Sequence, residues 1–176
     1  MSINDIAAHN LLGRTLSNNW IVSKKVEPGD GSTGGFFSVC YIVEKENDQA
    51  FLKALNFNAF FQMFPGKGIV KVLQEQTNAF EFEKNLLLKC KSNRLTKVSM
   101  ILDEGEEIVE GFTIPNVPYL IFEIAEGDIR SNIKFSNNAE VAWKTKSLHD
   151  VAVALDQLHS VEIAHQDLKP SNVLLY

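Results

Sequence analysis

The run His165-Gln166-Asp167-Leu168-Lys169-Pro170-Ser171-Asn172 lies between an amphipathic helix and the apolar stretch Val173-Leu174-Leu175-Tyr176. The helix is read from Leu148, Val151, Ala152, Leu155 and Leu158, which recur at helical steps and mark one face over about Glu140 to His159. A His-x-Asp triplet in a turn is common and says little. The whole run, behind a helix and ahead of a strand, is uncommon. It gathers a carboxylate, an ammonium and an amide into one tight loop.

Toward the N-terminus the pattern is one of short strands. Trp20-Ile21-Val22 and Val26 read as the first. The turn-rich run Pro28 to Gly35 leads to a β-branched and aromatic segment, Phe36 to Val43. A turn at Glu46-Asn47-Asp48 leads to the third strand, Gln49 to Leu55. Together these suggest an antiparallel meander. A Phe-rich connection, Asn56 to Lys67, is too interrupted by Pro65-Gly66 for a long helix. Gly68 to Cys90 reads as helix, with Val72, Gln76, Ala79, Phe80, Glu83, Leu86, Leu87 and Cys90 at helical steps. Lys97 to Asp103 and Pro118 to Ile124 read as two more strands. Their link carries Glu104, Glu106, Glu107 and Glu110 and is expected to be a solvated turn, not a metal site. Residues 1–19 are polar and weakly patterned, a lead-in to the fold.

Composition narrows the function. The 176 residues carry 17 Lys plus Arg against 22 Asp plus Glu, a net charge of −5, with 45% hydrophobic residues. That suits one domain, or part of a larger one. No uninterrupted apolar run exceeds the five residues of Val151 to Leu155, whereas a membrane helix needs roughly 18. Met1-Ser2-Ile3-Asn4-Asp5 lacks the basic and apolar regions of a secretory signal. The acidic balance argues against a general nucleic-acid binder. Cys40 and Cys90 are too few for a disulfide framework and lack metal-ligand spacing. They read as buried thiols in a reducing cytoplasm.

The eight-residue run resembles the catalytic loop H-R-D-L-x-x-x-N of eukaryotic-type protein kinases, and Lys169-Pro170 resembles the serine/threonine-specific subgroup. The resemblance extends over about Trp20 to Tyr176. Ala50-Phe51-Leu52-Lys53 looks like the V-A-I-K strand, with Lys53 as its lysine. Phe80 to Leu87 is similar to helix C, with Glu83 as the partner of Lys53; Glu81 remains an alternative and Glu75 a weaker one. Aligned on Val39, the residues Gly34, Gly35 and Phe36 resemble the core of a glycine-rich loop, although Phe37 stands where the third glycine belongs and Ser32 where the first does, unless a short insertion lets Gly31 serve. Tyr119 to Ala125 resembles the last strand and hinge, with Phe122 as gatekeeper and the backbones of Glu123 and Ala125 facing adenine.

The implied fold is α+β and protein-kinase-like: a five-stranded antiparallel N-lobe with one helix C, then the beginning of a helical C-lobe. The implied division is a lead-in at 1–19, the N-lobe and hinge at 20–125, and the start of the C-lobe at 126–176. The implied activity is transfer of the γ-phosphoryl of ATP to a protein serine or threonine, with Mg2+. Asp167 would act on the acceptor hydroxyl, Lys169 on the moving phosphoryl group, Asn172 on magnesium, and Lys53 with Glu83 on the α- and β-phosphates.

Two departures stand out. Gln166 replaces the arginine that in this family often pairs with a phosphorylated activation loop, which implies control by another route. No D-F-G follows Asn172 before Tyr176, so the complete protein is expected to continue. A small-molecule kinase of the aminoglycoside or choline type shares H-x-D-x-x-x-x-N, but Lys169 argues against it. A non-catalytic kinase-like binding module is the third reading; a naturally short chain would need a partner or self-association to cover the 140–159 helix.

Overall fold

The computed structural model describes residues 6–27, 37–63, 66–135 and 141–176. Its chain divides into two units, Met1–Lys84 with Ile101–Glu123, and Asn85–Met100 with Ile124–Tyr176.

In the first unit, period-two alternation builds strands β1 (Ile21–Val26), β2 (Ser38–Lys45) and β3 (Asp48–Leu55). Two helices follow, α1 (Phe57–Met63) and α2 (Ile69–Ser92), then strands β4 (Ile101–Ile108) and β5 (Asn116–Glu123). All five strands form one sheet in the order β1-β2-β3-β5-β4, each neighbouring pair antiparallel. This is the α+β class expected, a kinase-type N-lobe sheet with a long helix.

The two faces of the sheet have different partners. On one face Val39, Tyr41 and Val43 of β2, Ala50, Leu52 and Ala54 of β3, and Val117, Tyr119 and Ile121 of β5 form a continuous core. What covers that core is the segment expected as a lead-in. Ile6, Ala7, Ala8, Leu11 and Leu16 are all buried in it. Gly13 N–H donates to the Val22 carbonyl and Val22 N–H to the Arg14 carbonyl, so the segment is also tied to β1. The Tyr41 hydroxyl donates to the Ala8 carbonyl at 2.8 Å. Burial pushes its pKa up to about 12, keeping it a donor. The Tyr119 hydroxyl donates to Asn18 Oδ1 at 2.7 Å. Buried tyrosines need such partners, and the N-terminal segment supplies them.

The acidic link is corrected. Glu104, Gly105, Glu106 and Glu107 are not a turn but the body of β4, paired with Leu120, Tyr119, Pro118 and Val117. β4 is an edge strand, where one row of charged side chains can stay in water. Its start is corrected too, because residues 97–100 lie outside it. Lys97 N–H donates to Gln157 Oε1 at 3.0 Å instead of to a neighbouring strand. Gly105 lies directly against Tyr119, and a Cβ there would fall 2.6 Å from Tyr119 Cζ. The ring is fully buried and its hydroxyl is bonded, so it has little room to yield. Gly105→Ala is expected to cost about 1–3 kcal/mol by overpacking, measured by urea denaturation.

The second unit contains the two-residue strands β6 (Gly127–Asp128) and β7 (Leu174–Leu175), paired antiparallel, with helices α3 (Ile129–Phe135) and α4 (Val141–Ser160) between them. Asp128 caps α3 through the Ser131 N–H and hydroxyl, which hold its carboxyl below the usual range. Helices α2 and α4 end alike. Arg94 and Glu162 each take a left-handed backbone, with φ of 56° and 60°. Leu95 N–H then bonds the Cys90 carbonyl, and Ile163 N–H the Leu158 carbonyl. These are Schellman ends, and their apolar partners Cys90, Leu95, Leu158 and Ile163 share one cluster. Of the expected α4 face, Leu158 is buried but Leu148 is 72% exposed.

Among the described residues no helix is long and apolar enough to cross a membrane. Both cysteines are free thiols.

Candidate active site

Lys53 sits near the end of the central strand β3, in register with Cys40 on β2 and Leu120 on β5. Strand alternation turns Ala54 and Leu52 to the N-terminal core and leaves Lys53 on the opposite face with α2. There Lys53 Nζ donates to Glu83 Oε1 at 2.6 Å. Glu81 instead bonds Lys84, and Glu75 bonds Lys67. The fold thus brings Glu83, of the three glutamates, to Lys53. The pair borders a cavity of about 280 Å³ lined by Phe37, Leu55, Phe60, Phe80 and Leu120 among others. The Phe37 ring stacks on Phe60 of α1 with centroids 4.3 Å apart.

Other expected positions fall differently. Gly34, Gly35 and Phe36 lie outside the described residues. Val39 pairs with Ala54 and is buried in the core on the face away from Lys53. Cys40, one residue on, holds the place beside Lys53. Burial raises its pKa against the lowering influence of a Ser38 hydrogen bond and the Lys53 charge, favouring the neutral thiol. Phe122 does share the face of Lys53, because it pairs with Phe51, two residues before the lysine. Phe51 itself was passed over in the sequence, although its i−2 spacing from Lys53 carried the signal. Glu123 closes β5 opposite Ala50, and Ala125 follows in the second unit, outside any strand.

In the second unit the loop 165–172 is held at its end by the β6–β7 pairing, with Ile129 N–H donating to the Val173 carbonyl. Asp167 N–H donates to the His165 carbonyl across Gln166, whose φ is 59°. This tight turn points three side chains at one another. Lys169 Nζ donates to Asp167 Oδ2 at 2.8 Å, and Asn172 Nδ2 donates to the same oxygen at 3.0 Å. A second bond from Asn172 Nδ2 to the Asp167 carbonyl, at 2.9 Å, closes the ring. The Lys169 hydrogen bond, with help from Asn172, holds the Asp167 carboxyl below its usual range. Asp167 is nevertheless open to solvent, its side chain 67% exposed. It therefore offers an ionised acceptor at an accessible surface, beside a cation and an amide.

Because the depressed pKa depends first on Lys169, Lys169→Met should move the Asp167 titration to higher pH. Carbon-13 NMR of the carboxyl reads this directly, and an unmoved midpoint would show that the lysine does not set it.

Among the described residues there is no group of three or more His, Cys, Asp or Glu placed to hold a metal ion. Oxygen donors at the loop include the Asp167 carboxylate and the Asn172 amide oxygen, whose nitrogen makes the bonds to Asp167. Oxygen donors of this kind suit magnesium, which keeps waters and shares phosphate ligands.

No family model matches the sequence. Over 120 residues, 61% of the chain, it is 28% identical to the serine/threonine-protein kinase DCLK1 of Rattus norvegicus, covering 27% of that protein. It is 44% identical over 57 residues, 32% of the chain, to the MAP kinase-interacting serine/threonine-protein kinase 1 of Xenopus tropicalis, covering 14% of it. An Aurora kinase of Debaryomyces hansenii is 38% identical over 58 residues, 32% of the chain and 14% of that kinase. The chain is thus similar to protein kinases, and spans between 14% and 27% of the length of these three curated relatives.

Proposed function

We propose that this chain carries the nucleotide-binding lobe and the catalytic loop of an ATP-dependent serine/threonine protein kinase. Residues 20–125 would be its nucleotide-binding lobe and hinge, and 126–176 the start of the lobe that handles the phosphate acceptor. The observation that carries this reading is the loop in which Lys169 and Asn172 both bond one Asp167 oxygen. It has company in the Lys53–Glu83 pair on the first unit.

The roles follow from charge and position. Asp167 accepts the proton of the serine or threonine hydroxyl as its oxygen bonds to the γ-phosphorus. The bond to the β,γ-bridging oxygen breaks, and ADP departs with that electron pair. Lys169 neutralises charge on the moving phosphoryl group. Glu83 holds Lys53 extended so that its ammonium meets the α- and β-phosphates. Phe122 lies beside the base, and the Glu123 and Ala125 backbones bond its edge. Magnesium, when bound, neutralises phosphate charge; Asn172 would hold it through the amide oxygen. Most of the catalysis is then positioning and fixed charge. The mainly apolar lining beside the Lys53 ammonium fits a nucleotide better than a free phosphate. A cytoplasmic location agrees with the two free thiols.

The test uses the protein that contains this chain, incubated with magnesium and γ-labelled ATP. Label on serine or threonine of protein acceptors is expected. Label confined to small metabolites would refute the protein-kinase reading and favour the aminoglycoside or choline type.

A further inference from the structure

Helix α2 meets the sheet through two adjacent residues of opposite charge. Glu83 reaches Lys53 on β3, and Lys84 Nζ reaches Glu104 Oε2 on β4 at 3.1 Å. The two sheet residues lie in one cross-strand row. Lys53 pairs with Leu120 of β5, and Leu120 pairs with Glu104 of β4. All three side chains therefore leave the same face, the outer two separated by two strand spacings, about 9–10 Å. Residues 83 and 84 project about 100° apart around the helix axis. One ion pair alone would leave the helix free to roll about its contact. Two pairs, separated around the axis and across the sheet, fix the roll.

Lys84 is well placed for this. Its side chain is 18% exposed and also bonds Glu81 at 2.7 Å, one turn back on its own helix. Glu104 is fixed from behind as well, since Asn18 Nδ2 donates to its carbonyl at 3.0 Å and Asn18 in turn receives the Tyr119 hydroxyl.

We propose that Lys84 and Glu104 are positioning residues that set the rotation of α2 and so keep Glu83 on Lys53, tuning how tightly a nucleoside triphosphate is held there. This rests on the reading of Lys53 as the phosphate-binding lysine. The clamp acts on binding before any transfer takes place, and neither residue touches the nucleotide.

The experiment measures Mg·ATP affinity by calorimetry and amide hydrogen exchange along α2 in nucleotide-free protein. The variants are Lys84→Met, Glu104→Gln, their double, Lys53→Met, and Lys53→Met with Lys84→Met. Each clamp variant should weaken Mg·ATP about fivefold, and the double should match the singles, as expected of one coupled pair. Exchange in the middle turns of α2 should quicken. On the Lys53→Met background, Lys84→Met should cause no further loss, because the clamp works through that lysine. Additive losses on that background would overturn the proposal, since they indicate general damage to the fold. Unchanged affinity in the clamp variants, with Lys53→Met weakened, would overturn the clamp and leave the phosphate reading standing. Unchanged affinity in Lys53→Met would overturn both.

Discussion

Asp167→Asn is expected to lower phosphoryl transfer by on the order of 10²–10⁴, the usual contribution of a positioned proton acceptor. The substitution keeps shape and one amide oxygen able to receive a hydrogen bond, but removes the basic carboxylate. The side chain is 67% exposed, so little packing is lost and the fold should be unaffected. Mg·ATP affinity should stay within about twofold, because a group used in the transition state lowers the rate without changing ground-state binding. Single-turnover transfer and calorimetry on the same preparation separate the two effects. Transfer by the variant within a few-fold of wild type would remove Asp167 from the chemistry, and with it the assignment of the loop.

The second large effect concerns stability. Leu11→Ala should destabilise the protein by about 2–5 kcal/mol, as for a buried leucine truncated in a packed core. Leu11 has no exposed surface and packs in the cluster formed with β2, β3 and β5. At roughly 2–4 °C per kcal/mol for a chain of this size, the melting temperature should fall clearly. A polar leader lying outside the fold would tolerate the change with an effect of no more than about 0.5 kcal/mol. Differential scanning calorimetry distinguishes the cases, and an unshifted melting temperature would mean the segment does not complete the sheet.

This contrast marks what the sequence alone could reveal. β1, β2, β3 and the two long helices announce themselves because their partners are regular, and a periodic surface needs periodic side chains. Over its described residues the N-terminal segment is irregular chain with one short 3₁₀ turn, Ala7–His9. Its apolar residues fall at whatever spacing meets the sheet, scattered among Asn, His and Arg, so no period betrays them. The acidic body of β4 was hidden for a different reason. Its glutamates are stabilised by pairing on an edge and by ion pairs such as Arg14–Glu107 and Lys84–Glu104, neither visible as a local pattern. α1 is short, and its buried Phe57, Ala59 and Phe60 gave only an aromatic cluster to the eye.

The site divides in the same way. The loop 165–172 is contiguous, so its three interacting side chains could be read together. Lys53 was singled out by the likeness of Ala50-Phe51-Leu52-Lys53 to a V-A-I-K strand, taken together with the loop. The choice among Glu75, Glu81 and Glu83 was not, because it depends on the rotation of a helix about an axis that tertiary contacts set. Cys40, paired with Lys53, was not singled out either, since a motif alignment does not say which of two adjacent residues shares the lysine's face of the sheet.

Chemical labelling tests most directly whether Lys53 lies against nucleotide phosphates. An acyl-phosphate ester of ATP delivers its acyl group to a lysine amine beside the phosphates, and peptide mass spectrometry locates the amide formed. Acylation should concentrate on Lys53 and be suppressed by excess Mg·ATP. Acylation spread over exposed lysines such as Lys146, with Lys53 unmarked and no protection by Mg·ATP, would contradict that placement.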